Sequence, residues 1–246
     1  MISIQNVTKS YGKKLAVDNL SLEIASGEFF AVLGPNGAGK TTTIKMLAGL
    51  LRPNSGRLLL GGFDVQKDPI AAKKVSAYVP DQPFLYDKLS GIEFMNFIAD
   101  LYGVEGDSRQ KEIDRLVELF GMKDFVRELT ESFSHGMKQR LVLASTLLHK
   151  PKVILVDEPL VGLDPHTARL VKQIFREQAR GGTSIFMSTH VLSVAEDFAD
   201  RIGIMVQGRI IALGKMDDLR RQAHLEGKLE DVFFKITEGA KIPSHD

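Results

Sequence analysis

Apolar residues alternate with polar ones at Ile2, Ile4 and Val7, and again at Leu20, Leu22 and Ile24. This period of two predicts amphipathic antiparallel strands over the first thirty or so residues. Leu58 to Leu60 extends the group after the turn Pro53-Asn54-Ser55-Gly56. Continuous apolar runs recur at Phe29-Phe30-Ala31-Val32-Leu33, Val75 to Val79, Val153 to Val156 and Ser184 to Met187, with long helical stretches between them. Strands that are apolar on both sides are buried on both faces, so this alternation predicts a mostly parallel sheet flanked by helices, an α/β fold. Ile202 to Val206 and Arg209 to Leu213, joined by Gln207-Gly208, predict a closing hairpin.

Residues from about 90 to 150 follow a helical period throughout. Ile92, Met95, Ala99 and Tyr102 share one face, Ile113, Leu116, Val117 and Phe120 a second, and Leu141, Ala144 and Leu148 a third. They predict a helical insert in the α/β core. Leu229, Val232, Phe233 and Ile236 line a last helix whose apolar stripe is expected to be a packing surface.

Composition narrows the chemistry by exclusion. With 32 basic and 31 acidic residues among 246, the net charge of +1 offers no bulk attraction for nucleic acid or an anionic membrane. The absence of cysteine excludes disulfides, thiol catalysis and cysteine-ligated metals. Met1-Ile2-Ser3-Ile4-Gln5-Asn6 lacks the features of a signal peptide, and no apolar run approaches the roughly 18 residues of a membrane span. Work at a membrane is therefore expected to depend on a partner's span.

The strongest chemical signal is Gly34-Pro35-Asn36-Gly37-Ala38-Gly39-Lys40-Thr41, a complete G-x-x-x-x-G-K-[ST] loop directly after the apolar run ending at Leu33. Glycines let backbone N–H groups turn inward toward phosphate oxygens, and a Cβ at Gly34, Gly37 or Gly39 would block that approach. Lys40 supplies a point charge, and Thr41 offers its hydroxyl to Mg2+. The helix starting near Lys40, which also carries Thr42, aims its positive end at a nucleoside triphosphate. Ile44, Leu47, Ala48 and Leu51 give that helix its apolar pattern. Val153-Ile154-Leu155-Val156-Asp157-Glu158 is a strand ending in two carboxylates. In a parallel sheet it is expected beside the phosphate loop, where Asp157 would hold Mg2+ and Glu158 would polarise the attacking water.

Ser134-His135-Gly136-Met137-Lys138-Gln139-Arg140 resembles the signature of the ATP-binding cassette family, and with it the resemblance extends over nearly the whole chain. Asp157-Glu158 then corresponds to Walker B, Gly162-Leu163-Asp164-Pro165 to the D-loop, and His190 in Ser188-Thr189-His190 to the switch histidine. Tyr11 is similar to the adenine-stacking aromatic, although such a ring could also simply cover a sheet edge. The resemblance implies a P-loop NTPase, RecA-like core with an antiparallel β subdomain and a helical subdomain. Residues 1–238 would form one ABC ATPase domain, with 1–89 and 151–215 as core and β subdomain and 90–150 as helical subdomain; 216–246 would be a C-terminal helical tail. It further implies ATP and Mg2+ as cofactors and Lys40, Glu158 and His190 as catalytic groups. Ser134 and Gly136 would bind the γ-phosphate held by a second nucleotide-binding subunit, either an identical copy or a paralogue.

The sequence departs from the family at three places. Phe133, His135 and Met137 stand where Leu, Gly and Gln are usual, and Pro159-Leu160-Val161 lacks the common serine or threonine. In Val79-Pro80-Asp81-Gln82-Pro83, alignment on Leu85 and Leu89 places Asp81 rather than Gln82 at the Q-loop position, where it could serve as a metal ligand. The implied function is an ATPase subunit powering a membrane transporter from the inner face of the cell membrane. Integral membrane subunits would dock near Phe84-Leu85-Tyr86, and the form ending soon after Leu229-Glu230-Asp231-Val232-Phe233 resembles exporter branches. The rival readings are an ABC-type ATPase acting on nucleic acid or ribosomes, and a P-loop phosphotransferase. The first usually carries paired cassettes, a coiled-coil insertion or zinc cysteines, and the second has no use for a signature or a switch histidine.

Overall fold

The computed structural model describes residues 1–158 and 163–239. The doubly apolar runs become a six-stranded sheet in the order β10-β9-β3-β8-β7-β6, built from β3 (Phe29–Leu33), β6 (Ser76–Val79), β7 (Val153–Asp157), β8 (Ser184–Thr189), β9 (Arg201–Val206) and β10 (Arg209–Gly214). All neighbours are parallel except the β9/β10 hairpin. Its turn residues Gln207 and Gly208 both have positive φ, at 49° and 81°, as a tight turn between twisted strands requires.

The alternating segments form a second sheet, order β2-β1-β4-β5, from β1 (Ile2–Tyr11), β2 (Lys14–Ile24), β4 (Ser55–Leu60) and β5 (Phe63–Asp64), all antiparallel. Strand alternation sorts the core into two clusters. Phe30, Val32, Leu155 and Phe186 pack with Ile44 and Leu47 of α1 (Lys40–Leu47) and with Ile2, Ile4, Leu22 and Leu58 of the small sheet. Phe29, Ala31, Leu33, Val156 and Met187 point the other way, into a cluster shared with the helical subdomain and the C-terminal helices.

After α2 (Pro69–Lys74), the helical subdomain holds α3 (Gly91–Tyr102), α4 (Asp107–Leu119) and α5 (His135–Leu147). The helical period expected from 90 to 150 is interrupted: beyond the α4 cap at Phe120, residues 121–134 contain no α-helix, only a short 3-10 turn at Thr130–Ser132. Gly121, at φ 59°, follows the end of α4. Backbone bonds from Gly91 N to Glu128 O and from Ile92 N to Val126 O tie the segment to the first turn of α3, and Thr130 Oγ1, donating to Tyr86 O, ties it to the loop before that helix. Phe120, Met122, Val126 and Phe133 are buried all the same, so their spacing reflects core packing rather than helix. The chain continues through α6 (Pro165–Arg180), α7 (Leu192–Phe198), α8 (Met216–Ala223) and α9 (Leu229–Gly239), and buried Leu229 and Val232 bear out the packing face of the last helix.

Candidate nucleotide site

A parallel sheet brings the C-terminal ends of its strands to one edge, and the chain leaves β3, β6, β7 and β8 there carrying the predicted chemistry. Leu33 pairs with Thr189, Asp157 with Ser188, and Val79 with Val156. The Walker B strand β7 is thus not the neighbour of the phosphate-loop strand β3, because β8 lies between them. This places the Ser188-Thr189-His190 turn between phosphate loop and carboxylates.

In the loop, Pro35, Asn36 and Gly37 are exposed, whereas Ala38, Gly39 and Lys40 are buried. A Cβ on Gly34 would lie 2.2 Å from Met205 O, and one on Gly39, at φ 108°, would lie 2.4 Å from Ala16 O. Beyond any approach to phosphate, these two glycines are required because the chain's own carbonyls press on the loop. Ala38 O accepts from Gly208 N at 2.8 Å, and Gly208 O accepts from Asp18 N at 3.0 Å, so the hairpin turn fastens the loop to the small sheet. Gly208 was visible in the sequence as a turn residue, but nothing local showed its partner. Lys40 Nζ donates to Gly34 O at 2.6 Å and to Pro35 O at 3.1 Å. Burial lowers its pKa, against the opposing pull of the Glu158 and Asp157 charges. Thr41 is exposed at the helix start, Thr42 is half-buried, and Gly39 caps α1 without a side-chain hydrogen bond.

Asp157 is almost wholly buried. Its Oδ1 accepts from Ser188 Oγ, while Oδ2 is buried without a hydrogen-bond partner. Burial raises its pKa first of all; the charges of Asp81 and Glu158 add to that rise, and the hydroxyls of Ser188 and Thr41 oppose it. The charge of Asp81, a residue as exposed as Gln82 beside it, reaches both Asp157 and Tyr78 and raises their pKa values. An orphaned buried carboxylate oxygen with a hydroxyl and a second carboxylate nearby suits a hard divalent cation. Among the described residues no group of three or more His, Cys, Asp or Glu could hold a metal by itself.

Glu158 sits at φ 49°, a left-handed conformation that costs a non-glycine residue roughly 1 kcal/mol or more and turns its side chain off the strand end. Its Oε1 accepts from His190 N at 2.9 Å and contacts His190 Nδ1 at 2.6 Å; its Oε2 accepts from Thr189 Oγ1 at 3.0 Å. The His190 side chain is exposed, whereas Thr189 is buried. Ser188 and Thr189 are the site residues that sequence reasoning passed over, noted there only as flanks of the histidine. Two hydroxyls between a strand and a histidine were the available signal.

Other expected residues lie apart from these bonds. Tyr11 ends β1 half exposed, with Lys9 Nζ 5.5 Å from its ring centroid. Ser134 caps α5 by accepting from Met137 N at 3.3 Å, and Gly136 lies in that helix's first turn. Asp164 caps α6 through His166 N and Thr167 N, each at 3.0 Å, and accepts from Thr167 Oγ1 at 2.6 Å, so its carboxylate is engaged within its own helix. Pro159, Leu160, Val161 and Gly162 lie outside the described residues.

The comparisons with known proteins agree with this geometry. A family model described as ABC transporter matches residues 17–161. The linearmycin resistance ATP-binding protein LnrL of Bacillus subtilis (strain 168) is 36% identical over 219 residues, which are 89% of this chain and 70% of LnrL. Among solved structures, the ATP-binding subunit of an ABC transporter superposes with a TM-score of 0.92 at 30% identity, over 96% of this chain and 99% of that one. A dimeric ATP-binding cassette, MJ0796, in a post-hydrolysis state bound to ADP and Pi, superposes with a TM-score of 0.79 at 26% identity, over 88% of this chain and 99% of its own. With a matching family model over more than half its length and this site at its sheet edge, the chain belongs to the ABC transporter family as an ATP-binding cassette, an ATPase.

Proposed function

We propose that this cassette powers an exporter from the inner face of the cell membrane, through a dimer that sandwiches ATP between the phosphate loop of one copy and the Ser134 and Gly136 turn of the other. The observation that carries this reading is the convergence at one sheet edge of Lys40, Asp157, Glu158, His190 and the charge of Asp81. The resistance function named for LnrL and the dimeric state of MJ0796 support export and the sandwich.

In this reading the loop from Gly34 to Thr42 binds the phosphates and Tyr11 stacks on adenine. Asp157, Thr41 and Asp81 hold Mg2+, which neutralises phosphate charge. Oε1 of Glu158 is saturated by His190, so the carboxylate accepts a water's proton once the His190 ring turns toward the γ-phosphate. Asp164 acts by fixing the start of α6 at the dimer face. No helix among the described residues is long and apolar enough to cross a membrane, in keeping with a separate membrane subunit. That subunit docks on the exposed aromatic patch of Phe84, Tyr86 and Phe97, where Tyr86 meets the other two rings edge-on at 5.9 and 5.5 Å.

The test is Glu158→Gln, which keeps the side chain's shape and removes its basicity. The variant is expected to bind ATP, to turn it over on the order of 100-fold or more slowly, and to accumulate as a dimer with ATP but not with ADP. Light scattering that shows a monomer at saturating ATP would overturn the self-sandwich.

A further inference from the structure

Thr189 offers one proton and two lone pairs, and the proton and one of the pairs are used: Oγ1 donates to Glu158 Oε2 at 3.0 Å and accepts from Val191 N at 3.1 Å. The side chain is 2% exposed and β-branched, at the last position of β8, where it pairs with Leu33 immediately before the phosphate loop. Its rotamer is therefore stiff and its hydroxyl direction fixed by bonds on both sides. Glu158 is also tied to β8 through its backbone, Glu158 N donating to Ser188 O at 3.0 Å. Oε1 has a different restraint, the 57% exposed His190 side chain. Any turn of that ring toward a nucleotide releases Oε1 from Nδ1 and leaves Thr189 as the side-chain restraint on the carboxylate, beside the backbone donor His190 N.

We propose that Thr189 is a positioning residue for ATP hydrolysis, aiming the Glu158 carboxylate from the end of the phosphate-loop strand's neighbour while His190 moves. The proposal rests on the reading of Glu158 as the base. It predicts a kcat effect without a binding effect, because the hydroxyl touches the carboxylate and not the nucleotide loop.

The experiment measures steady-state ATPase activity of the purified full chain carrying Thr189→Val, Thr189→Ser, Glu158→Gln, and the double change Glu158→Gln with Thr189→Val. Thr189→Val is expected to lower kcat about tenfold with KM for ATP within about twofold, and Thr189→Ser, which keeps the hydroxyl, to return kcat to within about threefold of the native chain. In the Glu158→Gln background the valine should leave the residual rate unchanged. A Thr189→Val chain with native kcat, beside an inactive Glu158→Gln chain, overturns the positioning role and leaves the base intact. An equal fall in both backgrounds overturns it too, since a merely structural threonine would act that way. Native turnover in Glu158→Gln removes the reading beneath both. Should the valine chain fail to fold, Thr189→Ala removes the same hydroxyl in less space and answers the same question.

Discussion

Two helices begin at the places where this cassette is expected to meet phosphate, and they begin in opposite ways. At α1 the N-cap is Gly39, left-handed and without a side-chain hydrogen bond, in a loop pressed by Met205 and Ala16 and fastened by Gly208. At α5 the N-cap is Ser134, exposed, whose own side chain accepts from the helix. The first start is rigid and leaves its capping to a ligand; the second is complete by itself and open to solvent. Behind the second, Phe133 in place of the usual leucine packs edge-on against Phe125 at 5.1 Å, with the Arg140 guanidinium 4.9 Å from the Phe125 centroid. The departure at Phe133 thus enlarges the packing under the turn and leaves Ser134 and Gly136 in place. In the proposed sandwich the first region is a binding site in a single chain, and the second is half of one.

Lys40→Ala breaks the comparison on its stronger side. Removing the buried charge deprives β- and γ-phosphates of their side-chain partner, and turnover is expected to fall by on the order of 100-fold or more, with nucleotide binding weakened in the monomer. Fluorescent-nucleotide titration beside an ATPase assay checks both, and near-native turnover would contradict the assignment of the loop.

Ser134→Ala probes the other side. It should cost about 1 kcal/mol of helix stability as a lost cap. It should also reduce turnover about tenfold, the worth of one hydrogen bond to a charged group. Monomer affinity for ATP should stay native. A monomer that binds ATP more weakly would mean that both helix starts serve one chain's site.

The contrast also separates what local sequence could reveal. The phosphate loop was legible because its composition is its mechanism, and the two sheets were legible because alternating and continuous apolar runs bury one face or two. Asp157 and Glu158 were legible as a strand end. The reason for Gly34 and Gly39 was not, since Met205 and Ala16 lie far away in sequence and reach the loop through tertiary packing. Residues 121–134 misled because buried residues in an irregular segment can mimic a helical period. Thr189 escaped because its role depends on β8 being threaded between β3 and β7, an order that no single strand encodes.

A smaller effect is expected at the loop after β6, which runs from the core toward the helical subdomain. Asp81 acts electrostatically on Asp157, whereas Gln82 has no charge to do so. Asp81→Ala is therefore expected to lower partner-stimulated turnover more than Gln82→Ala, with ATP affinity within about threefold in both, because a group in the metal's surroundings senses the γ-phosphate. Reconstitution of each variant with its membrane subunits decides it. A larger loss for Gln82→Ala would shift the loop by one residue.

The smallest effect concerns the tie between the two regions. Just past α5, His149 Nε2 lies 3.1 Å from Ser76 O of β6, and its ring stacks at 3.8 Å on Tyr102 of α3, so one imidazole joins the signature helix, its neighbour and the core sheet. Nδ1 is buried without a hydrogen-bond partner, which assigns the proton of the neutral ring to Nε2. Burial lowers the pKa of this histidine, opposed by the bond to Ser76. In the unfolded chain it takes up a proton near pH 6.5, whereas in the native chain it does so only at lower pH. Between those two values the unfolded state binds more protons, so the stabilisation is full above about pH 6.5, declines as pH falls toward the native pKa, and declines no further below it. Replacing His149 by Gln keeps a donor for Ser76 and removes the titration. Thermal melts of the native chain and of His149→Gln, at about pH 7.5 and about pH 5.5, should show a smaller acid-induced drop in the variant. Equal drops would show that the joint between signature helix and core does not sense protons.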